Sequence, residues 1–551
     1  MIKITIRLLY LLLYTHSSFA DIIGAVEYQV THIPNTQELH VKVQFDAKNV
    51  THMSMPACTY RSDMDNIIRD IKISANPMGI TWSNVLNFSF VASNNKEHVT
   101  IEYTLRNIKT SQNLYIGKDG FYLTHEFLVF PSAAIDNEGK SAPLKANIKF
   151  NTPVSNMIFS SHGKIKTNYS SDLPFTFDKF TGMYNHDAIV YIAGASNILK
   201  TSRIKVSDEP LDLLFFRIHD REIKELSVKT QKIFALEDKF WGEKPHNNIH
   251  TPFMAYIRNP NIDAIQSSAM HIGNSVLYIA SDSSEYTTTH IAHEHIHDWI
   301  NETLLFSSTQ QYMYEWFTEG FTEYYAHKTT FASGLITPQD LIAKLNYMLG
   351  VFRLGELRYT SYIELSAMNY TSFMYYVKGF LLASELDQKI IAETKGKYSL
   401  DDAMLSVIKK CSRSGFSEEL LMSEIRQLTG FNLGNILGAI EYSDNLTPTT
   451  TPLGLKTKIY EIQAFVPQYG FDIAKSVIMQ QVIDLKLDSP AYLAGLREGD
   501  FLPRDKLLGR SYPAPGPQTV TLTIGAGPTE KTITYTTDSE KIMVPQYELV
   551  E

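Results

Sequence analysis

One short pattern, H-E-H-I-H at residues 293–297, constrains this sequence more than any other. His293 and His297 are four positions apart, so a helix with 3.6 residues per turn places both imidazoles on one face, within reach of one metal ion. Glu294 is rotated by about 100° from that line, but it can still reach a water molecule beside the ion. The pattern therefore predicts a helix that carries two metal ligands and a carboxylate base.

The best candidate for a third ligand is Glu319, which follows His297 after 21 intervening residues. It belongs to W-F-T-E-G-F-T-E-Y-Y at 316–325, a segment whose aromatic residues indicate a mostly buried helix. We predict that His293, His297 and Glu319 bind one zinc ion. Glu323 lies one helical turn after Glu319, where its carboxylate could orient a ligating imidazole from outside.

Three further side chains in this stretch compete for a role. His290 lies one turn before His293 and is the alternative third ligand, in a site made only of histidines. His295 points to the opposite side of the helix, so we expect it to be packed or at the surface. Glu315 lies one turn before Glu319, and a structural role is sufficient to explain it.

The composition excludes several classes of protein. The chain has 551 residues, of which 44% are hydrophobic and 20% charged, which is typical of a folded protein with three or four domains. A net charge of -9 provides no basic face for nucleic acid. The only two cysteines, Cys58 and Cys411, form no disulfide framework, and we expect two isolated thiols.

The N-terminus has the pattern of an export signal over residues 1–20. Two basic residues precede an apolar run at 8–14, and the small residues Ser18 and Ala20 form a cleavage site. The apolar run is too short to span a membrane, and no later segment approaches the necessary length. We therefore predict a chain that begins at Asp21 after cleavage and is exported, to the periplasm or outside the cell.

Changes in hydrophobic period divide the remaining chain. Alternating strands come first, then strands mixed with helices, then capped helices, and finally strands again. The predicted domains are an all-β, sandwich-like domain (21–206), an α/β catalytic lobe (207–335), a helical catalytic lobe (336–444), a Thr- and Pro-rich linker (445–458) and a C-terminal β domain (459–551). The fold class is multidomain α+β.

The C-terminal β domain contains S-P-A-x-x-A-G-L-x-x-G-D at residues 489–500. This run resembles the short helix and turn of bacterial PDZ domains, whose ligands are the C-terminal ends of peptides. Tyr469-Gly470-Phe471 is the candidate loop for binding the peptide carboxylate through backbone N–H groups. We therefore expect a PDZ-like domain that could bind a C-terminal peptide.

Four motifs together resemble one family. They are H-E-x-x-H-x-W at 293–299, W-F-T-E-G-F-T-E-Y-Y at 316–325, Y-V-K-G at 376–379 and S-L-D-D at 399–402. This set is similar to the glycyl aminopeptidases, PDZ-containing gluzincins that are related to the aminopeptidase N family. The resemblance implies an N-terminal β domain, a thermolysin-like lobe, a helical lobe and a C-terminal PDZ domain.

The resemblance also implies roles for individual residues. Zinc would be held by the three ligands predicted above, and Glu294 would be the general base. Tyr376, the tyrosine of Y-V-K-G, would donate a hydrogen bond to the oxyanion that develops in the transition state. Its neighbour Tyr375 is the alternative for that role.

One part of the sequence departs from the larger family. Aminopeptidase N relatives have G-A-M-E-N on a sheet-edge strand, and its glutamate receives the free amino group of the substrate. The corresponding stretch here reads S-S-A-M-H-I at 267–272, so His271 replaces the glutamate and cannot offer its permanent negative charge. Ala269, Met270 and His271 are the candidate substrate-binding residues.

These patterns favour an exported zinc metallopeptidase, an aminopeptidase that prefers small N-terminal residues such as Gly or Ala. The missing glutamate leaves a zinc endopeptidase as the alternative enzyme. The alternative outside enzymes is a PDZ-bearing peptide-binding protein with a vestigial zinc site. For either enzyme, the expected partner is a peptide or protein substrate.

Overall fold

The structure is a computed structural model. It describes residues 21–55, 67–74, 88–107, 114–124, 127–128, 130–131, 144–154, 157–160, 163–166, 168–173, 176–177, 184–185, 190–242, 253–261, 267–272, 275–281, 287–300, 314–355, 357, 360–361, 365, 373–430, 452–502, 517–525 and 530–550. The chain forms two compact units, Met1–Lys232 with Asn248–Thr287, and Ile233–Asn247 with Thr288–Glu551. The predicted export signal and Cys58 lie outside the described residues.

The first unit begins with a β-rich region. Its strands are β1 Asp21–Ile33, β2 Glu38–Ser54, β3 Ile68–Ile73, β4 Phe88–Arg106, β5 Leu114–Ile116, β6 Gly120–Thr124, β7 Phe130–Pro131, β8 Leu144–Asn151, β9 Met157–Ser160, β10 Gly163–Lys166, β11 Asn168–Leu173, β12 Thr176–Phe177, β13 Tyr184–Asn185 and β14 Val190–Gly194. One sheet has the order β11-β8-β1-β2-β4-β3, with β7 beside β2, and a second has the order β10-β9-β14-β6-β5. β12 and β13 pair separately.

Alternating side chains explain how these two sheets pack. On β2, Val41, Val43 and Phe45 are buried and the residues between them are more exposed, as expected when one face of a strand meets a core. Phe121 and Leu123 of the second sheet join the same buried cluster. The two sheets therefore enclose one core, which is the sandwich-like arrangement predicted for this region.

A five-stranded sheet follows in the same unit. Its strands are β15 Leu199–Val206, β16 Glu209–Phe216, β17 Phe253–Arg258, β18 Ser267–Ile272 and β19 Ser275–Ala280. In the order β15-β16-β17-β19-β18, β16, β17 and β19 are parallel to one another, and β15 and β18 are the antiparallel edge strands. Helix α1, Asp220–Trp241, connects β16 to the parallel strand β17. All six residues of β17 are buried, which is typical of a strand covered on both faces.

The second unit contains most of the helices. They are α2 Thr288–Ile300, α3 Glu315–Thr318, α4 Gly320–Ala332, α5 Pro338–Leu354, α6 Met374–Glu393, α7 Leu400–Ser414, α8 Glu418–Thr429, α9 Ile473–Met479 and α10 Pro490–Leu493. Thr337 and Ser399 begin α5 and α7 with capping boxes, and Ser417 caps α8. Gly430 ends α8 with a φ of +77°, a conformation that glycine adopts without strain. These helix starts and this helix end confirm the predictions from the sequence.

A buried acid, Asp387, links three of these helices. It lies on α6, accepts a hydrogen bond from Tyr324 Oη of α4 at 2.6 Å, and accepts another from the backbone N–H of Leu400 at the start of α7. Lys328 of α4 is 3.0 Å from Asp387 and 2.6 Å from Asp401. The S-L-D-D motif therefore fastens α7 to the helices that carry the candidate site.

The C-terminal part of the second unit contains two β-ribbons. β20, Thr457–Gln468, pairs with β23, Asp538–Leu549, and β21, Thr519–Ile524, pairs with β22, Lys531–Thr536. Ser489 caps the short helix α10, and glycines at positive φ follow it, which confirms the predicted short helix and turn. A PDZ domain binds its peptide as an added strand beside an exposed strand edge. In this chain, Tyr469-Gly470-Phe471 is followed by helix α9 and not by such a strand. The PDZ-like assignment and its peptide partner stay predictions.

Two further observations bear on the sequence predictions. None of the helices in the described ranges combines the length and apolar character required to cross a membrane. Cys411 is a free thiol in the core, and burial raises its pKa to about 12, so it remains protonated at neutral pH. The architecture is multidomain α+β as predicted, whereas the domain boundaries and the thermolysin-like character of the lobe stay predictions.

Candidate metal centre

Helix α2 places the two predicted histidine ligands side by side. Every residue from Ile291 to Ile300 is buried, so the helix lies inside the second unit. The rings of His293 and His297 have centroids 4.8 Å apart, as the four-residue spacing requires. The H-E-x-x-H prediction of a helix with both imidazoles on one face is therefore confirmed.

The opposite side of α2 is anchored by His295. Its Nδ1 is 2.7 Å from Glu237 Oε2 of α1, and its ring stacks on Phe234 with centroids 3.6 Å apart. Trp299 packs against the same imidazole at 5.1 Å. His295 is thus a packed histidine, as predicted, and its buried pairing with Glu237 fixes the rotation of α2.

Glu319 completes a group of three ligand atoms. It lies where α3 ends and α4 begins, with its Oε2 3.2 Å from His293 Nε2 and 3.6 Å from His297 Nε2. The three ligand atoms lie within 4.8 Å of one another. In a tetrahedral site with bonds of about 2.0–2.1 Å, ligand atoms lie about 3.3 Å apart. The two distances from Glu319 to the histidines are close to this spacing, and two imidazoles with one carboxylate are a donor set that zinc accepts.

The charges at this centre are strongly coupled. Burial would lower the pKa of His293, but hydrogen bonds to Glu319 and Glu323 raise it to about 10. Burial would raise the pKa of Glu319, but the charge of His297 and hydrogen bonds from both histidines hold it well below its usual range. Protons and a metal ion would compete for these ligand atoms, so binding of a metal ion here would release a proton.

Glu323 lies on the side of His293 away from Glu319. Its Oε2 accepts a hydrogen bond from His293 Nδ1 at 2.9 Å, which leaves Nε2 directed at Glu319. The other oxygen, Oε1, is 2.5 Å from Lys344 Nζ of α5. Burial would raise the pKa of Glu323, but the Lys344 charge and the His293 hydrogen bond hold it well below its usual range. Lys344 could not be predicted from the sequence, because no spacing rule connects a lysine on α5 to this centre.

The other carboxylates and histidines of this region lie outside the ligand group. Glu294 is buried beside His293, and its charge contributes to the raised pKa of that histidine. Glu315 is buried one turn before Glu319, and burial together with the Glu319 charge raises its pKa to about 8. His290 is only partly exposed and does not belong to the group of three.

Two adjacent tyrosines on α6 have different surroundings. The ring of Tyr376 stacks on His293, with centroids 5.7 Å apart and an interplanar angle of 23°. Tyr375 is buried, and its hydroxyl has no hydrogen-bond partner among the described residues. The structure therefore brings Tyr376, and not Tyr375, against a predicted metal ligand.

A close helix crossing brings α6 to this centre. A Cβ atom added to Gly379 would lie 1.8 Å from the carbonyl oxygen of Trp316, and one added to Gly320 would lie 2.4 Å from Gly379 Cα. Such distances leave no room for a side chain at either position unless the helices move apart. Gly379 is the glycine of Y-V-K-G and Gly320 follows Glu319, so the crossing fixes Tyr376 relative to the ligand.

The predicted substrate residues lie on β18, the edge strand of the five-stranded sheet. Ala269 is half-buried and pairs with Tyr278, while Met270 and His271 pair with Leu277 and Val276 of β19. The side chains of Met270 and His271 lie outside the described part of the chain. Their role in substrate binding stays a prediction.

Comparison with solved structures shows the fold. The chain is similar to the crystal structure of an aminopeptidase N family protein from Idiomarina loihiensis, with a TM-score of 0.61, 15% identity, and coverage of 95% of this chain and 98% of that chain. It also matches an M1 zinc metallopeptidase from Deinococcus radiodurans, with a TM-score of 0.46, 13% identity, and coverage of 79% and 97%. No protein-family model and no curated protein matches the sequence.

Proposed function

We propose that this chain is an exported zinc metallopeptidase, an aminopeptidase that removes small residues from the N-terminus of peptides. The observation that carries the proposal is the convergence of His293, His297 and Glu319, with ligand atoms within 4.8 Å of one another. Glu294 lies beside the group, and Tyr376 stacks on one of its members. The fold shared with an aminopeptidase N family protein supports the same reaction class.

The three ligands suit zinc because it prefers imidazole nitrogen and carboxylate oxygen in a tetrahedral site. A catalytic zinc site keeps one position open, and three protein ligands leave that position. When bound, the ion would supply Lewis-acid chemistry that polarises a peptide carbonyl and activates water. The remaining steps fall to side chains of this protein.

Glu294 is the proposed general base. It is outside the ligand group but adjacent to His293 on the same helix, so its carboxylate can accept a proton from the attacking water. The same carboxyl group then donates that proton to the leaving amine. Without these two proton transfers, water would be a weak nucleophile at neutral pH and the amine would be a poor leaving group.

Tyr376 is the proposed donor to the oxyanion. Its ring stacks on both His293 and Phe373, with centroids 5.7 Å and 5.6 Å away, and this stacking restricts the direction of the hydroxyl. A donor held in place before the reaction stabilises the charge that develops on the carbonyl oxygen. Tyr375 is a poor candidate because its hydroxyl is buried in the helix packing.

The test of this function is metal removal on the chain that begins at Asp21. The purified protein is expected to contain one zinc ion per chain and to cleave members of a library of free-amine peptides. A chelator should abolish cleavage, and one equivalent of zinc should restore it. Cleavage that survives complete zinc removal would contradict a zinc peptidase, and bound zinc without turnover would favour a non-catalytic peptide-binding protein.

The choice between aminopeptidase and endopeptidase depends on the free amino group. We expect a peptide with Gly or Ala at its N-terminus to be cleaved after that residue, and its N-acetylated counterpart to resist cleavage. The physical reason is that only an exopeptidase site holds the charged amine in a fixed position. Equal rates for the two peptides, measured by product analysis, would assign the chain to the endopeptidases.

A further inference from the structure

The metal centre is joined to a third helix through a row of three side chains. Lys344 Nζ of α5 lies 2.5 Å from Glu323 Oε1 of α4, and Glu323 Oε2 lies 2.9 Å from His293 Nδ1 of α2. We infer that Lys344 is a positioning residue for the metal ligand His293, acting through Glu323. The inference rests on the zinc site proposed above, and it assigns to α5 a role in metal affinity.

The Glu323 carboxylate needs a partner on both oxygens. Its side chain is only 6% exposed, so water cannot replace a lost partner, and an unpaired buried charge is strongly unfavourable. The terminal torsion of a glutamate is broad, so one hydrogen bond alone does not fix the plane of the carboxylate. Lys344 holds Oε1 and thereby leaves Oε2 directed at His293.

A neighbouring histidine does not substitute for the lysine. His327 Nδ1 lies 3.8 Å from Glu323 Oε1, but it already donates to the Glu323 backbone carbonyl oxygen at 2.9 Å. Without Lys344, we therefore expect the carboxylate to rotate and to weaken its bond to His293.

The consequence for the metal follows from the His293 ring. The bond from Nδ1 to Glu323 sets the ring orientation that directs Nε2 toward Glu319, at 3.2 Å. Loss of a hydrogen-bond partner behind a ligating histidine typically weakens metal binding by about 10- to 100-fold. Lys344 is one side chain further from the ion, so we expect a loss near the lower end of that range.

A second pair in the same unit provides a matched control. Lys410 Nζ of α7 lies 2.5 Å from Glu424 Oε1 of α8, and the Glu424 side chain is also only 6% exposed. The other oxygen of Glu424 accepts a hydrogen bond from Ser406 Oγ at 2.6 Å and not from a metal ligand. The two pairs thus match in distance, in the burial of the glutamate and in the connection of two helices, while the control lysine is more exposed, at 45% against 19% for Lys344.

The experiment measures the zinc dissociation constant of the full chain from Asp21 by competition with a chelator. Lys344→Met is expected to weaken zinc binding about tenfold, and Lys344→Arg to restore most of the affinity. Lys410→Met should leave the dissociation constant unchanged. Because Lys344 acts through Glu323, the double variant Lys344→Met/Glu323→Gln should bind zinc as tightly as Glu323→Gln alone.

Several outcomes would overturn the inference. The first is that Lys344→Met binds zinc as tightly as the wild type, and the second is that Lys410→Met loses as much zinc affinity as Lys344→Met. The third is that Lys344→Met weakens zinc binding as much in the Glu323→Gln variant as it does in the wild type. If Lys344→Met does not fold, the Lys344→Met/Glu323→Gln variant, which leaves neither charge buried alone, is compared with Glu323→Gln. A wild-type chain that binds no zinc would overturn the proposed function itself, together with the inference.

Discussion

Replacing Glu294 by glutamine is expected to lower kcat by about 10²- to 10⁴-fold while zinc binding is retained. The amide has nearly the shape of the carboxylate, but it cannot accept a proton from water. Glu294 is not one of the three clustered ligands, so the ligand atoms of His293, His297 and Glu319 keep their positions. The measurement is kcat on the best peptide of the library together with zinc content.

Asp298→Asn is the matched control for this variant. Asp298 is a buried carboxylate on the same helix, but it lies 3.8 Å from Nε2 of the packed His295 and not in the ligand group. We expect it to keep kcat within a few-fold of the wild type. Undiminished activity in Glu294→Gln would rule out the general-base role, and loss of zinc would show that Glu294 helps to hold the ion.

Replacing Gly379 by alanine is expected to damage both stability and catalysis. The new Cβ would lie 1.8 Å from the Trp316 carbonyl oxygen, so α6 must move away from α3. Overpacking of this kind costs about 1–3 kcal/mol of unfolding free energy. Tyr376 is three residues earlier on α6 and moves with it, and a displacement of about 1 Å near reacting groups can lower the rate about 10²-fold. Thermal unfolding and kcat measure the two effects.

Gly350 of α5 is the matched control for Gly379. A Cβ added there has no heavy atom within 4 Å, so Gly350→Ala introduces no clash. Since alanine favours a helix interior by about 0.8–1.0 kcal/mol over glycine, we expect a small gain in stability and unchanged kcat. Wild-type stability and activity in Gly379→Ala would contradict the close crossing of α6 with α3 and α4.

Features with a local physical cause could be predicted from sequence alone. The H-E-x-x-H helix follows from its spacing, because four residues are about one helical turn. The helix starts at Thr337, Ser399 and Ser417 follow from side chains that cap their own first turn. Glu319 was predicted because its aromatic neighbours indicated a buried helix, and a buried carboxylate needs a partner.

Features formed between distant segments could be seen only in the tertiary structure. The chain order contains no signal that Lys344 meets Glu323, or that Glu237 of α1 meets His295 behind the metal centre. Each contact is made by a single side chain, so no repeating pattern marks it. The family resemblance favoured Tyr376 over its neighbour Tyr375, but only the tertiary structure shows that the ring of Tyr376 stacks on His293. The residue types and their spacing therefore specify which chemistry is possible, because ligands and caps act over one or two turns. Helix packing specifies which of the remaining side chains support that chemistry, because packing joins residues that no local rule connects.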